Sequence, residues 1–259
     1  MSVILIEERI VHYETLGRGS PLIFLHGWLG SWRYWMRPME ALSENYRTHA
    51  FDLWGYGDSD KQGVGHNLDT YLRLLETFMD QMGIVKAPLV AHGMGGILAA
   101  HFAARHPDRV PRLALVSTPL CEAGMNRGAI LGKTVLGRLQ QKRQVTHEVV
   151  IQDIARSSFA AIEENLDALR GFDIRPLVGQ LQMPTIVVYG RKDGLVDPDQ
   201  AEGLPSGNPM IRGLIMPESR HFPMLEETSH FNRLLGDFLE SGDDLTALEI
   251  KTEWRRRTR

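Results

Sequence analysis

A chain of 259 residues, 43% of them hydrophobic, can bury one large core, or one core carrying a modest insertion. Its formal net charge of -3 and pI of about 6.4 supply no broad basic field, which argues against nucleic acid as a partner. The single cysteine, Cys121, excludes an internal disulfide and a cysteine-built zinc cluster. No apolar run reaches membrane-spanning length, and the N-terminus turns acidic at Glu7 and Glu8, too early for a secretion signal. The expectation is a cytoplasmic protein with no membrane partner.

Residues 3 to 16 read as two strands of an antiparallel edge, turned by Gly17-Arg18-Gly19-Ser20 into the apolar run Pro21 to Leu25. That run ends in His26-Gly27-Trp28, after which Ser31 can cap a helix with Trp32, Trp35, Met36, Met39 and Leu42 at helical spacing. Thr48 to Leu53 is a short strand leading into Trp54-Gly55-Tyr56-Gly57-Asp58-Ser59-Asp60. This glycine-rich loop is no phosphate cradle, because it lacks the P-loop lysine and its carboxylates would repel phosphate. Leu68, Tyr71, Leu72, Leu75, Phe78, Met79 and Met82 then mark an amphipathic helix.

The next stretch organises the rest. Pro88 to Val90 suits a buried parallel strand, and Gly95-Gly96 followed by Ile97-Leu98-Ala99-Ala100 suits a helix pressed against it. The spacing small-x-nucleophile-x-small is that of a nucleophile elbow, a tight turn that lifts one side chain above the sheet beside a helix N-terminus. The lifted position here is Gly93, which has no side chain. Glycine accepts the backbone angles of such a turn, so the fold itself does not need a hydroxyl there.

Leu113 to Ser117 supplies another buried strand. From about Leu120 to Gly171 the strand rhythm stops, and two or three helices are expected from Ile130, Leu131, Val135, Leu139, Val150, Ile151, Ile154, Phe159, Ile162 and Leu166. Strands resume at Pro184 to Gly190 and at Ile211 to Met216, before a final helix through Phe231, Leu234, Leu235 and Phe238. Alternating helices and apolar strands mean a mostly parallel sheet of eight strands with helices on both faces. Asp193 follows one of the last strands and His221 the other, so both belong at the carboxyl edge where open α/β sheets bind ligands. Asp197 and Asp199 are rival acids in the same loop.

Together, His26-Gly27-Trp28, Asp52-Leu53-Trp54-Gly55-Tyr56-Gly57-Asp58-Ser59, the elbow, Gly190-Arg191-Lys192-Asp193 and His221-Phe222-Pro223 resemble the α/β-hydrolase fold family over residues 10 to 240. The order elbow, acid, histidine is that of its triad. The resemblance implies an α/β core over 1–119 and 172–240 with a helical cap insertion over 120–171, while the shift to polar residues after Ser241 reads as a solvated tail over 241–259 that ends in a basic run. The resemblance also implies that Asp193 orients His221, that His221 is the general base, and that the N–H groups of Trp28 and Met94 form the oxyanion hole. Trp28, Trp32 and Met94 would line an apolar, ester-sized pocket closed by the cap over Gly93 and His221. No metal or cofactor is implied, and the partner would be a small ester-like molecule.

The departure from the family is Gly93, where serine is usual and aspartate or cysteine less so. Three accounts compete. The chain is an inactivated form of a carboxylesterase-like enzyme, a natural member that keeps only a binding pocket, or one in which His221 activates water directly. The last is chemically the weakest, since nucleophile knockouts of serine hydrolases retain only about a thousandfold to ten-thousandfold acceleration over water.

Overall fold

The computed structural model describes residues 2–63, 65–204 and 208–250. Eight strands form one sheet: β1 (Ser2–Ile6), β2 (Arg9–Leu16), β3 (Ser20–Leu25), β4 (Tyr46–Phe51), β5 (Leu89–His92), β6 (Leu113–Val116), β7 (Thr185–Gly190) and β8 (Ile211–Met216). Their spatial order is β1-β2-β4-β3-β5-β6-β7-β8. Only the β1–β2 and β2–β4 pairs are antiparallel, and β3 to β8 run parallel. The sequence reason is direct. β5, β6 and β7 are buried along their whole length, as apolar strands covered on both faces must be, whereas β1 alternates exposed and covered residues as an edge does.

The covering helices are α1 (Met36–Leu42), α2 (Leu68–Gln81), α3 (Met94–Arg105), α8 (Arg175–Gly179), α9 (Pro223–Glu226) and α10 (Thr228–Glu240). α2 turns Tyr71, Leu72, Leu75, Phe78 and Met79 inward and is capped by Asn67, whose side chain accepts from Thr70 N–H. α3 carries small residues at its start because its first turn touches the strand ends. A Cβ on Gly95 would come within 2.5 Å of the His26 carbonyl, and one on Gly96 would strike the Thr118 side chain.

Three local differences from the sequence reading have physical causes. Ser31 does cap a helical turn, accepting from Arg33 N–H at 3.2 Å, but that turn is a 3-10 segment over Trp32–Trp35 and the α-helix begins only at Met36. The region expected to hold two or three helices holds four: α4 (Arg127–Leu131), α5 (Val135–Gln144), α6 (Glu148–Arg156) and α7 (Phe159–Ala168). Gly132, in the left-handed conformation at φ 58°, ends α4 and splits what reads as one periodic run. The polar stretch after Ser241 is not all solvated, because Leu245 and Leu248 are buried and the Leu245 N–H donates to the Pro209 carbonyl. The basic end of that stretch lies outside the described residues. No described helix is long and apolar enough to cross a membrane.

Candidate active site

Three strand ends converge. At the end of β5 the chain turns through Gly93 with φ 53° and ψ -120°, a conformation that favours glycine, and enters α3 at Met94. The Gly93 N–H donates to the Val116 carbonyl at 2.9 Å, fixing the turn against β6. The space above Gly93 is open enough for a side chain. The nearest atoms to a Cβ there would be Gly27 Cα at 3.5 Å and the Trp28 ring at 3.8 Å, both ordinary contacts.

The end of β7 and the loop after β8 cross closely at Gly190, where a Cβ would collide with the carbonyls of Ser219 and Arg220. That crossing brings Asp193 and His221 together: His221 Nδ1 lies 2.9 Å from Asp193 Oδ2, with both side chains almost fully buried. The other carboxylate oxygen of Asp193 accepts from the N–H groups of Leu195 at 2.8 Å and Val196 at 3.0 Å, which locks its orientation. The rival acids are elsewhere. Asp197 caps the 3-10 turn at Pro198–Ala201, and Asp199 pairs with Arg191 at 3.6 Å. Glu226 and Glu227 hold the histidine loop from below, accepting from Arg220 N–H and from the Ser219 hydroxyl.

His92, inside the elbow, points away from the lifted position. Its Nε2–H donates to the His221 carbonyl at 2.9 Å, so Nδ1 is the accepting nitrogen, and it takes the Tyr34 hydroxyl proton at 3.0 Å. Tyr34 in turn accepts from the Gly27 N–H at 2.7 Å. Burial, with His221 beside it, holds the His92 pKa well below the usual histidine value, so the ring stays neutral. His26 is also neutral, its pKa lowered by burial, and its Nε2 accepts from Leu53 N–H at 2.9 Å.

Trp28 is buried beside Gly93, and its indole N–H donates to Asn165 on α7 at 2.7 Å. The N–H groups of Trp28 and Met94 meet no acceptor among the described residues. Trp32 lies farther along the loop, its ring against His12 at 5.7 Å and under the Arg33 guanidinium at 5.3 Å. The backbone N–H of Trp32 donates to Asp52, whose second oxygen accepts from Asp58 N–H at 2.9 Å. Asp52 therefore staples two loops together. Among the described residues, His12, Asp52 and Asp58 form one group whose ligand atoms lie within 4.8 Å of one another. The Arg33 guanidinium on Asp58 competes there with any cation.

The inserted helices stitch onto these loops through polar contacts. The Ser158 N–H donates to Gly55, the Glu164 carboxylate accepts from His66 N–H, and Arg156 pairs with Asp58. Val145, Val150, Ile162 and Leu166 join the buried apolar cluster behind them. Sequence reading missed Tyr34 and Asn165. Tyr34 stands among large aromatics that read simply as core, and a lone asparagine in a helix gives no signal of its distant partner.

An eight-stranded, mostly parallel sheet with a glycine elbow and a buried His–Asp pair at its carboxyl edge defines the α/β-hydrolase class. The family model of the α/β-hydrolase fold matches residues 20–142 of the chain, and the sheet with its helices has that fold. The chain is similar to the pimeloyl-[acyl-carrier protein] methyl ester esterase of Vibrio vulnificus, 28% identical over 253 residues, covering 88% of this chain and 97% of that one. In fold it resembles the enol-lactonase of Burkholderia xenovorans, with a TM-score of 0.78 at 20% identity, covering 93% of this chain and 100% of the other. It also resembles a serine-to-glycine mutant of the N-acyl homoserine lactonase AidH complexed with N-hexanoyl homoserine lactone, with a TM-score of 0.80 at 20% identity, covering 92% and 96%.

Proposed function

We propose that this chain is a carboxylesterase-like acyl hydrolase scaffold that lacks its nucleophile at Gly93 and therefore binds esters with little or no turnover. The observation that carries this reading is the buried contact of 2.9 Å between His221 and Asp193 at the strand edge that also holds the elbow. With Asp193 holding Nδ1–H, Nε2 of His221 is the nitrogen left to take a proton. In a Gly93→Ser variant it would take the serine proton as Oγ attacks the ester carbonyl, then return it to the leaving alkoxide. The Trp28 and Met94 N–H groups would hold the oxyanion, and α3 contributes the positive end of its dipole.

Trp28 and Met94 would line the acyl pocket under a cap spanning roughly 120–171. Trp32, in contact with His12 and Arg33, would contribute to that lining from farther along the same loop. The names of similar proteins support ester and lactone chemistry, and a serine-to-glycine mutant in complex with an acyl lactone is a precedent for retained binding in this fold.

The test compares turnover of short activated esters by the parent chain, Gly93→Ser, and Gly93→Ser combined with His221→Ala. The expected result is measurable hydrolysis in the serine variant alone, falling by about a thousandfold or more when His221 is removed. A serine variant no faster than the other two would sink the hydrolase reading and leave a binding protein on the same fold.

A further inference from the structure

The helix α5 is built inside out. A surface helix of a folded domain turns apolar residues to the core and polar ones to water. In α5 the residues that meet the protein are Gly137, against the Gly128 carbonyl, Gln141, donating to the Ile130 carbonyl at 2.8 Å, and Gln140, accepting from Asn126 at 3.2 Å. Val135, Leu136 and Leu139 face outward, 77%, 66% and 55% exposed. At 100° per residue these three occupy one stripe of about 100°. Lys142 and Arg143 share the same exposed side, while the Arg138 guanidinium turns back to donate to the Gly132 carbonyl at 3.0 Å and the Lys133 carbonyl at 3.3 Å.

The charge around this stripe is as lopsided as its hydrophobicity. Between Glu122 and Glu148 the chain holds Arg127, Lys133, Arg138, Lys142 and Arg143 and no acidic residue, in a protein whose net charge is -3. Arg127 and Lys133 are paired with Asp167 and Glu163, while Lys142 and Arg143 have no acidic partner among the described residues. Lys133 also lies 5.0 Å over the ring of Phe159, a half-exposed aromatic on α7 that extends the apolar stripe.

We propose that the outer face of α5 docks the protein peripherally on an anionic lipid surface, with Val135, Leu136 and Leu139 entering the interface and Lys142 and Arg143 meeting the headgroups. An aliphatic stripe flanked by long cationic side chains is the pattern of helices that lie in the plane of a bilayer surface. Size favours lipid over a protein partner. One helix of ten residues, about 15 Å long, offers far less than the roughly 800 Å² per side of a stable protein interface, whereas interfacial binding adds shallow burial to diffuse attraction by anionic headgroups. A ten-residue helix is too short to register in a search for membrane-spanning runs, so this contact is invisible to hydropathy.

The test is co-sedimentation of the full chain with phosphatidylglycerol-containing vesicles and with pure phosphatidylcholine vesicles, at low and high salt. Binding to the anionic vesicles alone, weakened by salt, is expected. Leu136→Glu with Leu139→Glu should lower it at least tenfold, and Lys142→Gln with Arg143→Gln by about thirtyfold, at roughly 1 kcal/mol per cation. All these positions are exposed, and circular dichroism and the melting temperature should match the parent. No binding to anionic vesicles at low salt, or binding indifferent to these variants, would overturn the proposal. So would a dimer in solution that Leu136→Glu dissociates, or capture of an acyl-carrier protein through these residues by a chain that ignores vesicles.

Discussion

The hydroxyl of Tyr34 lies 3.0 Å from Nδ1 of His92, and both groups are buried. Tyr34 also accepts from the Gly27 N–H, and the His92 Nε2–H donates to the His221 carbonyl, so one relay ties together the loop after β3, the elbow and the histidine loop. Removing the hydroxyl would leave two buried groups unpaired, each costing about 1–3 kcal/mol. Tyr34→Phe should therefore lower the melting temperature by several degrees. The control is Tyr56→Phe, because the buried Tyr56 hydroxyl has no hydrogen-bond partner among the described residues and its loss should cost nothing or stabilise slightly. Equal effects of the two variants in thermal unfolding would contradict the relay.

The bond from Trp28 to Asn165 is the polar link that runs from the loop beside Gly93 directly into α7. Asn165→Leu keeps the volume but strands the indole N–H, at a cost of about 1–3 kcal/mol. Because the loss falls on the seam between core and inserted helices, it should appear first as local opening. Hydrogen exchange is expected to quicken over Phe159–Ala168 while β5 and β6 stay protected. Uniform acceleration across the sheet would show that the seam has no independent stability.

Both rival acids were legible as candidates, but only geometry separates them. Asp193, Asp197 and Asp199 lie within seven residues, and periodicity says nothing about which carboxylate the Gly190 crossing aims at His221. The strands were legible because β3 and β5 to β7 are apolar on both faces, and the elbow because Gly95 and Gly96 are needed where α3 meets the ends of β3 and β6. The inserted helices were read less well: Gly132 and Gly137 interrupt their periodicity, and α5 faces outward with the residues that the pattern assigns to a core. Contacts between residues far apart in the chain, such as Tyr34 with His92 or Trp28 with Asn165, leave no trace in local spacing.

Asp153 on α6 has a fully buried side chain 3.8 Å from Arg33. Burial pushes its pKa up to about 6, against the pull of Ser31 and Arg33. A carboxyl whose folded pKa exceeds its unfolded one contributes stability when protonated and loses it as pH rises from about 4 through 6. Above that window, ionised Asp153 costs on the order of 3 kcal/mol. Asp153→Asn should melt a few degrees higher than the parent at pH 8, with the gap closing towards pH 4. A constant gap at all pH values, or a less stable variant at pH 8, would show that the Arg33 contact outweighs burial.

Gly93 and Gly96 sit three residues apart in the same turn, yet they forbid a side chain for different reasons. At Gly93 the obstacle is conformational, since φ of 53° disfavours an L residue while the nearest atom to a Cβ is an unremarkable 3.5 Å away. At Gly96 the obstacle is contact, since a Cβ would overlap the Thr118 side chain, and that threonine is buried with its hydroxyl bonded to the Val116 carbonyl. Gly93→Ala should cost about 1–2 kcal/mol, the usual price of a strained non-glycine conformer. Gly96→Ala must push α3 away from β6 or turn Thr118 out of its bond, and should cost about 3 kcal/mol or more. Denaturant unfolding of the two variants decides it. If Gly93→Ala proves the more damaging, the space above the elbow is not available to a side chain, and a serine there could not be accommodated either.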